Sequence, residues 1–494
     1  MFRPNRPTVS ATAVLALSLA LAACKSTVVP AASEIGVPQS FDHAAAQEDT
    51  DTARWWQSWG DPVLDRLVAQ ALAQNFDIRA ARSRLNEARA QAELARADLM
   101  PSVGAQLGGR GVLGGEADNP LNDTARTVLA RIPAASALSQ KEFDLSGYSL
   151  SAALSASWEP DIFGRKTADA DAARHAALGV QEQVYGARLL AAAETADNYL
   201  QARAAQARLA VLQDNIRTLE RLLRYTRGRF AAGHTAADSV DAVKSRLSAA
   251  RSAEGSLKAA YGSAVRNIAV LTGQVPQGFR LPESPRDLLA EPPAAPAGAT
   301  PQGMIERRPD LRARAAAVRA RAAQVAGAKA DLLPRFTIGF LTQGMRIGGD
   351  TVLAGWASLL SAGIQVPLFT GGRIRANIKA ADARLKTALL EYDRNLLAAL
   401  GETDSAYQLH TALARQSTLL AQSQKEAAKH AADSRRLFEL GSKTLDAALT
   451  AQTDAAQARD RLIQSRLAQT QTLIALYKAL GGGWQPENGQ SEAE

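Results

Sequence analysis

The chain has 494 residues, of which 46% are hydrophobic, 21% charged and only 5% aromatic. This composition excludes a disordered chain and favours close packing of alanine-rich helices over a conventional aromatic core. The formal charge of +8 is spread in both signs without a basic block, which argues against a nucleic-acid partner.

At the N-terminus, Arg3 and Arg6 precede an uncharged apolar stretch, Thr12 to Ala23. It is too short for a membrane span of about 20 residues and reads as a signal peptide over residues 1–23. The stretch ends in Leu21-Ala22-Ala23-Cys24, which resembles the bacterial lipobox. Cys24, the only cysteine, is then the lipidated first residue of the mature protein and leaves no disulfide within the chain. Lys25 in second place, rather than Asp, fits sorting to the outer membrane. The covalent lipid on Cys24 is the only non-protein group expected.

The rest of the chain is one unit written twice. Asp77-Ile78-Arg79 and Ala97-Asp98-Leu99-Met100-Pro101 reappear as Asp310-Leu311-Arg312 and Ala330-Asp331-Leu332-Leu333-Pro334, at an offset of 233. Arg229-Phe230-Ala231-Ala232-Gly233 matches Leu437-Phe438-Glu439-Leu440-Gly441 at an offset of 208, which also places Asp238 on Asp446. The smaller offset puts roughly 25 extra residues in the first copy, between Pro101 and Phe163. The expected organisation is signal peptide 1–23, lipid-anchored segment 24–60, first repeat 61–273, Pro-rich linker 274–303, second repeat 304–483 and a disordered tail 484–494.

Within each copy the predicted order is helix, two strands, long helix, helix. Asp61-Pro62 is an N-cap followed by proline at N1, and no proline or glycine interrupts the chain from there to Pro101. One helix of nearly forty residues, about 58 Å, is expected. The period then changes to two. Tyr148, Leu150, Ala152, Leu154, Ala156 and Trp158 share one face, and Ser149, Ser151, Ser155 and Ser157 the other. Length, alternation and terminal aromatics suit a transmembrane β-strand. The same alternation fits a half-buried soluble sheet; the lipobox and the helices that follow favour the membrane. Phe336, Ile338 and Phe340, then Trp356, Leu360, Ala362, Ile364 and Val366, are the second copy's apolar face.

From Arg165 to Ala232 there is no proline, and Leu209, Leu212, Ile216, Leu219 and Leu223 form a coiled-coil seam. About 67 helical residues span roughly 100 Å. Arg373 to Leu440 is its counterpart, with a seam richer in Ala, Gln and Lys. Gly233 and Gly441 end the two rods, and a helix returns from each toward Gly273 and Gly481.

Four strands leave two open edges that cannot face hydrocarbon. Two chains give eight strands and a filled interior; three give twelve and an aqueous lumen. A homotrimer is therefore the smallest assembly that works as a channel. The fold class expected is an α+β membrane protein, a trimeric twelve-stranded outer-membrane β-barrel continued by a long periplasmic α-helical barrel, with an internal two-fold repeat.

The chain carries Trp55-Trp56 with Asp61-Pro62-Val63-Leu64, Ala88-Arg89-Ala90, Leu99-Met100-Pro101, Trp158-Glu159-Pro160-Asp161-Ile162-Phe163-Gly164-Arg165, Arg308-Pro309-Asp310-Leu311-Arg312, Pro367-Leu368-Phe369 with Gly371-Gly372-Arg373, and Leu480-Gly481-Gly482-Gly483-Trp484. In these motifs it resembles the TolC/OprM/NodT family of outer-membrane efflux proteins. The resemblance implies a passive exit duct in the outer membrane, docked on a periplasmic adaptor and an inner-membrane transporter of the RND type. It also implies that the turns Gly233–Asp238 and Gly441–Asp446 form the periplasmic tip that meets the adaptor. Asp238, Asp241 and Asp446 become the candidate gate. Each acid also fits the plain role of a solvated helix N-cap.

Catalytic patterns are missing from the sequence. Gly109-Arg110-Gly111-Val112-Leu113-Gly114 fits G-x-G-x-x-G but is followed by no helix pattern or partner acid, and reads as a strand or loop. His43, His175, His234, His410 and His430 have no metal-ligand spacing. The competing reading is a lipid-anchored periplasmic coiled-coil scaffold without a pore; it leaves the serine-lined strands unexplained.

Overall fold

A computed structural model describes residues 33–43, 52–112, 116–118, 120–132, 139, 142–144, 147–284, 286–348 and 353–482. The expected signal peptide, Cys24 and the tail 484–494 lie outside the described residues. In chain order the elements are α1 (Pro62–Gln74), α2 (Phe76–Ala97), β1 (Ser102–Val112), β2 (Glu116–Asp118), α3 (Asp123–Ala130), β3 (Glu142–Asp144), β4 (Gly147–Trp158), α4 (Arg165–Ala231) and α5 (Ala237–Leu271). They continue with α6 (Pro301–Arg307), α7 (Pro309–Ala330), β5 (Arg335–Gly348), β6 (Leu353–Gln365), α8 (Arg373–Glu439) and α9 (Leu445–Ala479). No helix among the described residues is long and apolar enough to cross a membrane.

The chain divides into two compact units. One is built from Ala90–Arg174 and Ala320–Leu385. Its sheet is antiparallel in the order β1-β4-β5-β6, so that β1 and β6 are its edges. Directly opposed residues share a face, and the register separates a mainly apolar face, which also holds Arg346, from a serine-bearing face that also carries Leu341, Met345, Ile347 and Leu359. Leu107, Ala152, Gly344 and Trp356 form one cross-strand row, as do Val103, Ala156 and Phe340 with Leu360. The predicted apolar residues of both copies thus fall on one face. Ser102, Ser157, Gly339 and Ser361 lie on the other, as do Gln106, Ala153, Gln343 and Ala357. On the apolar face the Trp356 ring covers Gly344, where an added Cβ would lie 2.6 Å from it, and Tyr148 covers Gly348. Thr342 and Ser358, the polar pair on this face, satisfy each other at 2.9 Å. Gly109, Arg110 and Gly111 lie in β1, as a strand rather than a nucleotide loop.

The extra residues of the first half are more than a loop. They carry a second hairpin, β2 with β3, and the helix α3. The second half joins β5 to β6 directly.

The other unit comprises the described residues of Ala31–Arg89, together with His175–Arg319 and Lys386–Glu494. The single forty-residue helix expected after Asp61 is in fact two. Asn75, with ψ 132°, breaks it. Its side-chain oxygen accepts the N–H groups of Asp77 and Ile78 at 2.9 and 3.2 Å, and its amide donates to the Leu271 carbonyl at 3.1 Å. Asn here caps α2, a role its short amide performs well.

The core of this unit gathers Trp55, Trp56 and Trp59 against Tyr477, Leu64 and Tyr199. Trp55 stacks on Tyr477 with centroids 5.2 Å apart. Asp61 is buried at the edge of this core. Burial alone would raise its pKa, but donors from Tyr199 (2.7 Å), Ser284 (2.8 Å) and the Val63 N–H (2.7 Å) outweigh it and hold the carboxyl below 3.8. The same contact, with burial first, pushes the Tyr199 hydroxyl up to about 12. The Pro-rich segment is packed onto this core through buried Leu288 and Ala299, Leu289 joins a separate cluster with Ala204, Val211 and Ile463, and Tyr407 donates to the Pro296 carbonyl at 2.9 Å. Upstream, Ser33 donates to Asp393 at 2.6 Å and the His43 N–H to Asp404 at 3.2 Å, which lays the N-terminal segment along α8.

Candidate functional site

The two turns that follow the long helices have the same backbone. Gly233 and Gly441 sit in the left-handed region, at φ +73° and +77°. His234 N–H closes on the Arg229 carbonyl at 2.8 Å, and Ser442 N–H on the Leu437 carbonyl at 2.8 Å. This is the six-to-one bond of a Schellman ending, which glycine alone adopts without strain.

The acids are not helix caps. Ala236 and Thr444 occupy the cap positions and make no side-chain cap bond. Asp238 and Asp446 are the second residues of α5 and α9, where a carboxylate faces the positive end of the helix dipole. Asp238 is exposed, and its carboxylate accepts only from the next residue, Ser239, through the N–H at 2.7 Å and the hydroxyl at 3.4 Å. Asp241 pairs with Lys244 at 2.9 Å along its own helix. Asp446 faces Arg229 across the turns at 3.6 Å. The structure therefore brings Asp446, but neither Asp238 nor Asp241, into contact with the other hairpin.

Arg229 is the residue that sequence reasoning overlooked. It occupies the position of Leu437 in the second half, and that exchange of a leucine for a cation was the available signal. It belongs to a ladder down the α4–α9 seam. Asp197 accepts from Gln471 at 2.8 Å, Arg208 holds Asp460 in a bidentate pair at 2.6 and 3.3 Å, and Arg221 donates to Gln452 at 3.3 Å. Beneath the turns, Leu219, Leu222 and Leu223 pack on Val240, Val243 and Leu247 of α5, together with Leu449 of α9. Leu212, Ile216, Leu219 and Leu223 of the predicted seam join this cluster; Leu209 does not.

The remaining motifs build corners. Asp161 accepts the Lys166 and Thr167 N–H groups at 3.0 and 2.7 Å and starts α4. Arg308 holds Asp310 at 2.9 Å, Glu402 at 2.9 Å and the Ala479 carbonyl at 3.1 Å. Gly481, at φ +75°, lies so close to the Arg308 backbone that an added Cβ would come within 2.8 Å of its nitrogen.

An open-edged sheet with one mainly apolar and one serine-bearing face, continued in the chain by long antiparallel helices, is the build of an outer-membrane channel subunit. The family model described as outer membrane efflux protein matches residues 67–274 and 300–482, and the chain belongs to that family. The pyoverdine export outer membrane protein OpmQ of Pseudomonas aeruginosa is 30% identical over 478 residues, 96% of this chain and 97% of that protein. The toluene efflux pump outer membrane protein TtgC of Pseudomonas putida is 27% identical over 467 residues, 92% of this chain and 89% of that protein. The solved structure of the outer-membrane channel OprN matches with a TM-score of 0.77 at 25% identity, covering 94% of this chain and all of that one.

Proposed function

We propose that this protein is the outer-membrane channel component of a tripartite efflux system, a passive duct for substrates delivered by an inner-membrane pump of the RND type through a periplasmic adaptor. The observation that carries the reading is the sheet: four strands, two open edges, an apolar face and a serine-bearing face. Three copies joined edge to edge make a closed twelve-stranded barrel with the apolar face to lipid and the serines to water. The helices continue the duct into the periplasm as a second barrel, in which α8 of one chain meets α5 of the next. The internal duplication and the signal peptide, anchor, repeat, linker and tail boundaries belong to this reading, as does the lipid on Cys24. The turns at Gly233 and Gly441 are the adaptor-docking tip, and Asp238, Asp241 and Asp446 narrow the resting duct.

The test is single-channel conductance of the purified mature protein in planar bilayers, beside Asp446→Ala and Asp238→Ala. Small, cation-favouring steps that enlarge in the variants are expected. Folded, inserted protein that forms no channels would sink the duct and promote the pore-free scaffold. Channels that both substitutions leave unchanged would keep the duct and discard the gate.

A further inference from the structure

We infer that the lipid-facing side of the sheet carries a binding groove for a phosphorylated glycolipid of the outer leaflet, the lipid A class, with Arg346 as its phosphate ligand. The inference rests on the barrel reading above. A groove of about 590 Å³ crosses all four strands, walled by Leu107, Leu150, Trp356 and Arg346. The register puts these four side chains on the apolar face, in two adjacent rows. Between them the rows offer Gly109, Ala152 and Ala354, which have too little side chain to fill the space, while Gly344 lies beneath the Trp356 ring. Leu107 is 85% exposed and Trp356 75% exposed; the Trp356 ring lies over Gly344 and leaves its outer face open as part of the groove wall.

The level of the groove identifies its occupant. The ends of the strands that join the helices are Ser102, Trp158, Arg335 and Gln365; Arg346 lies at the opposite end, two residues before β5 finishes. In the proposed orientation that end is the outer one. Arg346 sits between the rows of Tyr148 and Trp356, at the level of an interfacial aromatic girdle. A guanidinium there costs little, because it reaches the headgroup layer rather than the hydrocarbon. Its planar fork matches a phosphate in geometry and charge. Acyl chains lying on Leu107, Leu150 and Ala354 and a phosphate on Arg346 describe one amphiphile, and lipid A is the phosphorylated amphiphile of that leaflet. A phospholipid of the inner leaflet would lie at the other end of the strands.

The trimer, extracted in mild detergent, is delipidated and titrated with diphosphoryl lipid A by native mass spectrometry, with dephosphorylated lipid A and phosphatidylglycerol as comparisons. Wild type is expected to prefer diphosphoryl lipid A. Arg346→Gln should weaken that binding by about tenfold or more, and Arg346→Lys should restore part of it. Ala354→Phe should occlude the groove with the charge intact. Arg110→Gln, on the opposite face of β1, should change nothing. Heat-modifiable migration as a trimer verifies folding of each variant. Equal binding by wild type and Arg346→Gln, or no preference for the phosphorylated lipid, would overturn the proposal while channels still form in bilayers. Protein that forms no channels at all would overturn the barrel reading and the groove with it.

Discussion

The α4–α5 and α8–α9 hairpins share one backbone and differ in what fills it. Their helices have equal lengths, 67 and 35 residues in each. Near the first turn, Leu219, Leu222 and Leu223 meet Val240, Val243 and Leu247. The corresponding positions near the second turn are Ala427, His430 and Ala431, and Ala448, Ala451 and Ala455. Among the described residues the second hairpin shows no aliphatic cluster of its own there; it lends Leu449 to the first. The polar ladder is one-sided too. Arg208, Arg221 and Arg229 on α4 correspond to Gln416, Lys429 and Leu437 on α8, while Asp460 and Gln452 on α9 correspond to Ser252 and Lys244 on α5. Apolar burial and ion pairing thus fix α4, α5 and α9 together within a chain, whereas the positions equivalent to the ladder hold a glutamine and a serine, two lysines, and Leu437 with Asp238. In the proposed trimer, the seam between chains is the compliant one.

The largest expected effect tests the cluster itself. Leu219, 1% exposed, should lose about 2 to 5 kcal/mol when replaced by alanine, read as a shift in the denaturant midpoint of the helical signal. Ala427→Gly at the matching position should cost about 1 kcal/mol; equal losses would break the comparison. Next, Asp446→Ala removes the partner of Arg229. Both side chains are more than a third exposed, so the pair is worth at most about 1 kcal/mol, near fivefold in open probability. Asp238→Ala should do less, and 1 M salt should erase most of the difference. Conversely, in the proposed trimer Leu437→Arg would supply a cation to Asp238 of the neighbouring chain. It should lower open probability by about two- to threefold.

The smallest effect concerns pH. His410 on α8 is buried, and burial alone lowers its pKa from 6.5. The folded protein then binds fewer protons than the unfolded chain, so its contribution is intact above 6.5 and declines as pH falls below that value. The counterpart on α4 is Ala202, which cannot titrate. His410→Gln should flatten the loss of thermal stability of the α8–α9 hairpin in mildly acidic buffer; an unchanged slope would assign that loss elsewhere.

Strands and long helices were legible in the sequence because their periods run for many residues without conflict. Tyr148 to Trp158 alternates over its whole length, and Arg165 to Ala231 has no proline. The break at Asn75 was hidden, since asparagine inside a helical pattern becomes a cap only through partners such as Leu271, far away in sequence. For the same reason Asp446 was readable as a charged turn residue but not as the partner of Arg229. The helix α3 lies in an insertion with no second copy to compare against. What was missed was specified by long-range contacts.

The equal helix lengths also constrain how such a chain can change. A single residue inserted into α4 would move its turn by about 1.5 Å along the axis and rotate everything beyond it by about 100°, while the turn after α8 stayed where it was. Insertions in the helices must therefore come in matched sets, or in lengths that restore the seam. The segment between β1 and β4 is free of that constraint, and the roughly 25 extra residues of the first half fall there. For engineering, this defines the units of exchange: a hairpin can be transplanted whole from a relative of the same length, and new sequence can be added between β1 and β4, but the helices themselves have a fixed gauge.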